Sequence, residues 1–187
     1  SEMCIRDSPH TGTSLTVSAQ NVQNLIYFNS DCMPVQHGGS VQIFNASLEQ
    51  NFSVGILNWR NKLTYQTSSD ENVVSLPKFS IYSNLYLLFT VARVLHVQFG
   101  VDCDYYTKYY APGYQPATMA FYNQHETKVG NYPYMSLYAN MKLKKARFFV
   151  VMDHINQGLT GKNYFSMPHY PMNPRTFRLG ISVDFAD

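Results

Sequence analysis

Residues 93–106 read RVLHVQFGVDCDYY, and they constrain the fold more than any other stretch. Leu95, Val97, Phe99, Val101, Cys103 and Tyr105 alternate with His96, Gln98, Gly100, Asp102, Asp104 and Tyr106. A period of two belongs to a strand and not to a helix. A half-buried strand in a water-soluble domain runs about five or six residues. Crossing a bilayer takes roughly 9–11 tilted residues, and this run is long enough. The expectation is a strand that crosses a membrane, with lipid on the Val97 side and water on the Gln98 side.

The same alternation recurs along the chain. Strands are expected at 13–29, 40–50, 53–66, 78–92, 93–106, 134–144, 146–156 and 175–185. The pattern is blurred only in 40–50 and in 146–156, where Phe149 and Val151 interrupt the polar face. The connections alternate too: tight near 51, 92 and 144, long at 30–39, 67–77, 107–133 and 157–174. A short strand at 118–124 is read as part of the third long connection. Every proline after Pro9 falls in or beside a long connection. Proline inside a strand would remove a ladder hydrogen bond.

Composition agrees with alternation. Charged residues make up 14%, against about a quarter in ordinary soluble domains. There are 15 Tyr and 12 Phe, yet the longest apolar stretch, 85–89, is far too short for a membrane helix. A membrane location therefore means strands, and strands in lipid must close to satisfy the backbone. Short turns at one end and long loops at the other fit an outer-membrane barrel. Trp59, Tyr65, Tyr105, Tyr106 and Tyr134 lie toward strand ends, where an aromatic girdle would sit. The expected fold is all-β, an antiparallel up-and-down transmembrane β-barrel with about eight strands in this chain. A soluble sandwich or a lipocalin-like barrel shows the same alternation.

The net charge of +2 gives no basic excess for nucleic acid. Three cysteines, at 4, 32 and 103, form no evident framework of bridges. No secretory signal is visible. Residues 1–8, SEMCIRDS, resemble the translation of a sequencing adapter, so 1–10 are set aside and 11–187 are read as the C-terminal portion of a longer barrel.

If the apolar faces meet lipid, the lumen is lined by Asn58, Arg60, Lys62, His96, Gln98, Asp102, Asp104, Asn140, Lys142, Arg178 and Asp184. Opposed charges there would orient polar solutes, or pair and brace the wall; bracing is the plainer reading for any one residue. His96, Asp102 and Asp104 do not make a metal site by themselves, because i to i+6 on a strand spans roughly 20 Å. His37 near Cys32, and His169 among tyrosines, lack ligand spacing. No nucleophile elbow or phosphate loop is present, so neither an enzyme nor a cofactor is expected. Tyr109, Tyr110 and Tyr114 form the richest aromatic patch, in an outer loop. They would stack on sugars, contact a partner, narrow a pore, or simply pack the loop on itself. Lys142, Lys144, Lys145 and Arg147 read as a solvated rim at a turn.

Three blocks carry a resemblance: GVDCDYYTKYYAPGYQPATMAFYNQ (100–124), VGNYPY (129–134) and YFSMPHYPMNPRTFRLGISVDF (164–185). Together they resemble the C-terminal part of the putative porins of Gram-negative Bacteroidota, from about Asn21 to the end. The resemblance implies an outer-membrane channel passing small hydrophilic solutes by passive diffusion, with no catalytic residues. It implies outer-membrane lipid and the barrel-assembly machinery as partners, the latter through the last strand, and leaves a homo-oligomer open. That strand resembles the aromatic-ending insertion signal, except that Ala186 and Asp187 follow Phe185. Eight strands alone would fill with side chains, so the channel reading requires further strands. The alternatives are the barrel end of a TonB-dependent receptor, a pore-less structural or adhesive outer-membrane barrel, and a soluble ligand-binding β-barrel.

Overall fold

A computed structural model describes residues 2–8, 12–161 and 163–184. The described chain is all antiparallel β-structure. In order it runs β1 (Glu2–Ser8), β2 (Thr13–Gln23), β3 (Ile26–Phe28), β4 (Pro34–Gln36), β5 (Ser40–Val54), β6 (Leu57–Ser68), β7 (Phe79–Val91) and β8 (Leu95–Tyr106). Then follow β9 (Gly113–Gln115), β10 (Ala120–Tyr122), β11 (Tyr134–Leu143), β12 (Ala146–Asp153), β13 (Phe165–Met167), β14 (Tyr170–Pro171) and β15 (Thr176–Val183). Nine of these form one sheet in the order β1-β2-β5-β6-β7-β8-β11-β12-β15. Three small ribbons, β3-β4, β9-β10 and β13-β14, are built from the long connections.

The barrel expectation is corrected here. The sheet is open: β1 stands at one edge, paired with β2, and β15 at the other, paired with β12. Alternation is a property of each strand, and open and closed sheets share it. Closure depends on strand number, tilt and shear between the outermost strands, none of which a single strand encodes. An open sheet encloses no lumen, so the expected channel for passive diffusion is not formed. The transmembrane reading falls with it, since a spanning sheet must be closed. No helix among the described residues is long and apolar enough to cross a membrane.

Tight turns sit at one end of the sheet and the long connections at the other. The turn expected near Asn51 lies at Gly55-Ile56, because β5 continues to Val54. Gly55 has φ +60 with open space around its α-carbon, the backbone that glycine adopts at least cost. Ala92, Arg93 and Lys144 hold the same left-handed region in the other two turns without being glycine. The strand expected to reach Asn29 stops at Gln23, and Asn24 (φ 52) turns the chain into β3. The short strand expected at 118–124 exists as β10, paired with β9.

The two faces are consistent from strand to strand. Leu48 pairs with Leu63, Leu63 with Ile81 and Ile81 with Tyr105, so apolar side chains meet across the sheet. This face is uncovered: Trp59, Leu85 and Phe99 are each more than 40% exposed, and Phe177, Leu179 and Ile181 more than 60%. The buried side chains instead concentrate beyond the sheet's loop end. Val73, Ala111, Gln124, Val129, Tyr132, His154 and Asn156 form a cap built from the long connections.

Candidate functional site

The polar face is organised as rows running across the strands. One row is Tyr86, Gly100, Tyr138, Val151 and Arg178, each paired with the next. Gly100 is required there by close approach. A Cβ at this position would stand 2.6 Å from the Tyr86 Cβ, 2.8 Å from the Tyr138 hydroxyl and 2.9 Å from the Leu85 carbonyl. Tyr138 thus lies down over Gly100 and is 9% exposed. Its hydroxyl donates to Asn84 Oδ1 at 2.8 Å and accepts from Gln98 Nε2 at 3.3 Å. Asn140 Nδ2 extends the chain to Gln98 Oε1 at 3.4 Å, and Asn84 Nδ2 donates to the Tyr82 hydroxyl at 3.0 Å. Three strands, β7, β8 and β11, are tied by this one amide and phenol network.

Beside it is an open groove of about 410 Å³ whose lining includes Asn84, Gln98, Asp102, Tyr138, Asp153 and Arg178. Arg178 Nη2 meets Asp153 Oδ2 at 2.6 Å. A larger cavity, about 630 Å³, lies at the loop end of β2, β5 and β6, and its lining holds no titratable side chain.

The strand residues singled out from sequence all share the polar face by register. Asn58 pairs with Tyr86, Arg60 with Asn84 and Lys62 with Tyr82; Asp102 pairs with Asn84 and Asp104 with Tyr82. Gln98 pairs with Asn140, and His96 with Lys142. Asp184 follows β15, and its backbone N–H donates to the Lys145 carbonyl at 3.0 Å. Lys62 is braced against Glu49 at 2.7 Å. His96 is tied through Nδ1 to the Thr90 hydroxyl at 2.9 Å, away from the aspartates. No group of three or more His, Cys, Asp or Glu among the described residues could hold a metal. Phe185, the aromatic of the insertion signal, lies outside the described residues.

Sequence reading missed Asn84, Tyr138 and Asp153 as members of this site. The first two were legible only from cross-strand register, because what selects them is their pairing with Asp102 and Gly100.

The loop tyrosines are packed into the cap. Tyr109 exchanges both backbone hydrogen bonds with Val129, at 3.0 and 3.1 Å, and meets Tyr106 edge-on at 5.9 Å. Burial pushes the Tyr109 phenol up from its ordinary value. Tyr110 meets His125 at 5.5 Å and carries Lys128 Nζ 4.7 Å from its ring centre. Tyr114 packs on Phe121 and Tyr170. Gln124 Nε2 donates to the carbonyls of Ala111 and Thr127, both at 2.7 Å, and Asn123 Nδ2 to those of Asn72 and Val73, both at 2.8 Å. The fully buried His154 links two connections, through Nε2 to the Tyr132 hydroxyl at 2.8 Å and through Nδ1 to the Asn173 carbonyl at 2.7 Å.

A long antiparallel sheet with one uncovered apolar face, one polar face and an ordered loop cap meets the comparison with known families at this point. The family described as "Putative porin" matches residues 6–187. The chain belongs to that porin family. The match covers nearly the whole chain, including every strand from β2 to β15. No curated protein and no solved structure matches it. Porin-type families are transport proteins and not catalysts, so the porin-family chain is not an enzyme. Membership is consistent with an outer-membrane setting.

Proposed function

We propose that this porin-family chain is a pore-less outer-membrane protein with a structural and adhesive role. The observation that carries the reading is the cap. Four long connections are cross-linked into one body at one end of an open sheet: Asn123 joins 107–133 to the first through its backbone N–H on the Phe28 carbonyl and to the second through its side chain, while His154 and Asn156 join it to the fourth. An ordered body presented on one side is suited to contact, since little ordering entropy remains to be lost on binding. The uncovered apolar face meets outer-membrane lipid.

Fractionation of expressing cells, followed by planar-bilayer recording on the purified chain, tests this. The expected result is recovery in the outer-membrane fraction, no unitary conductance steps, and surface binding lost when the 107–133 connection is replaced by a short linker. Discrete conductance steps, or recovery outside the outer-membrane fraction, would remove the proposal.

A further inference from the structure

The polar face carries an anomaly at its turn end. Leu88, Gln98, Asn140, Phe149 and Gly180 form one row, each paired with the next. Leu88 and Phe149 are the large apolar side chains exposed on the polar face among the described residues, at 52% and 42%. Both line one cavity of about 390 Å³, on either side of the Gln98 and Asn140 amides. Phe149 lies flat. The far end of its ring occupies the space over Gly180 where a Cβ would stand, so the ring lies across the neighbouring strand and lines the groove.

The next row toward the turn is Thr90, His96, Lys142, Arg147 and Ser182. Lys142 and Arg147 stand directly opposite each other, with His96 on the other side of Lys142. Like charges directly opposed across strands are destabilising, and the cavity lining that contains all three has no carboxylate. An anion at that end would relieve the repulsion. At the amide row, Gln98 and Asn140 hold each other at 3.4 Å. A bond that long is readily exchanged for one to a hydroxyl, which donates and accepts as an amide does.

From these rows we infer that the turn end of the polar face is a binding site for an acidic saccharide. The sugar ring lies on Phe149 and against Leu88, its hydroxyls take Gln98 and Asn140, and its carboxylate or sulfate takes Lys142 and Arg147. An apolar platform, an amide row and a cationic row side by side are the complement of one sugar with an acid group. The cavity lies within the usual size range of small-molecule sites. The inference goes beyond the adhesive reading and shares no residue with the cap.

Calorimetric titration of the full chain in detergent, with glucuronic acid and with neutral methyl glucoside as probes, tests it. Saturable glucuronate binding is expected, at least ~10-fold tighter than that of the glucoside. The doubly substituted K142Q and R147Q variant should lose that preference while still binding the glucoside. F149A should weaken both sugars, and Phe149→Leu, which keeps apolar bulk over Gly180 but has no ring, should not restore them; restoration by leucine would make Phe149 a space-filler only and overturn the platform. Raising salt from about 50 mM to about 500 mM should weaken glucuronate alone. Equal binding of the two sugars, or glucuronate binding untouched by K142Q and R147Q, overturns the inference. Vesicles bearing lipid A that displace glucuronate below its own dissociation constant would assign the rows to a glycolipid headgroup and overturn the soluble ligand. The cap replacement that tests adhesion should leave glucuronate binding unchanged, so the two readings fail separately.

Discussion

At the scale of single residues, the sheet depends on what small side chains leave room for. Tyr138 spends its ring on Gly100 and its hydroxyl on Asn84. Tyr138→Phe removes the 2.8 Å bond to Asn84 and the long one from Gln98 and keeps the ring, at a cost of about 1 kcal/mol, chiefly from the first. Gly100→Ala forces a Cβ onto the Leu85 carbonyl and the Tyr86 Cβ and should cost more, about 1–3 kcal/mol. Urea midpoints of the two variants in the same detergent check the order. In the cap, His154→Phe leaves the Tyr132 hydroxyl and the Asn173 carbonyl without their partner. Hydrogen exchange should quicken in 129–134 and 157–174 and stay unchanged in β5 to β8. Tyr109 sets an alkaline limit on the same cap. Its phenol is raised in the folded state by burial. An acid whose folded pKa is raised contributes full stability below its unfolded value, here near 10.0, and loses it as pH rises through the folded one. Tyr109→Phe should therefore reduce the loss of cap protection above pH 10.0 and change little at neutral pH.

At the scale of elements, each strand separates two solvents, and neighbouring residues test which is which. Val97→Arg places a charge on the uncovered apolar face and should lower the folded yield in lipid if that face meets lipid. Gln98→Arg, one residue on, should assemble. Folded yield in lipid vesicles compares them, and equal yields would remove the lipid-facing assignment. The strands were legible because a period of two survives any environment that is wet on one side. β8 begins within two residues of its expected start and ends at Tyr106 as expected. The end of β5 was not legible, because the chain near Asn51 reads as a turn while the ladder continues, with Asn51 opposite Arg60 and Phe52 opposite Trp59. The blurred alternation of β12 was visible, but not its reason: Phe149 breaks the polar face because it covers Gly180, 31 residues later in sequence. Which polar residues gather into one groove depends on register between strands, and that is fixed by turns and pairing and not by any strand alone.

At the scale of the whole molecule, the open sheet changes the meaning of correct local readings. The face assignments are the same in an open or closed sheet, but a lumen exists only in the second. The strand edge at β15 carries Phe177, Leu179 and Ile181 with more than 60% of each exposed. An exposed, flat, apolar edge is a pairing template for other chains. Away from lipid and detergent the purified chain should associate. Replacing Phe177 and Leu179 with lysine should raise the monomeric fraction, read by light scattering against the unaltered chain.

The tight turns and the cap occupy opposite ends, and this has a consequence for register. Row register is counted from the turns: Gly55-Ile56, 92–94 and Lys144-Lys145 each lock two strands. Lengthening or shortening a cap connection does not move that count, whereas one residue added at Lys144 would carry Phe149 to the other side of the sheet. The cap connections can therefore change length and composition while the rows beneath them stay aligned.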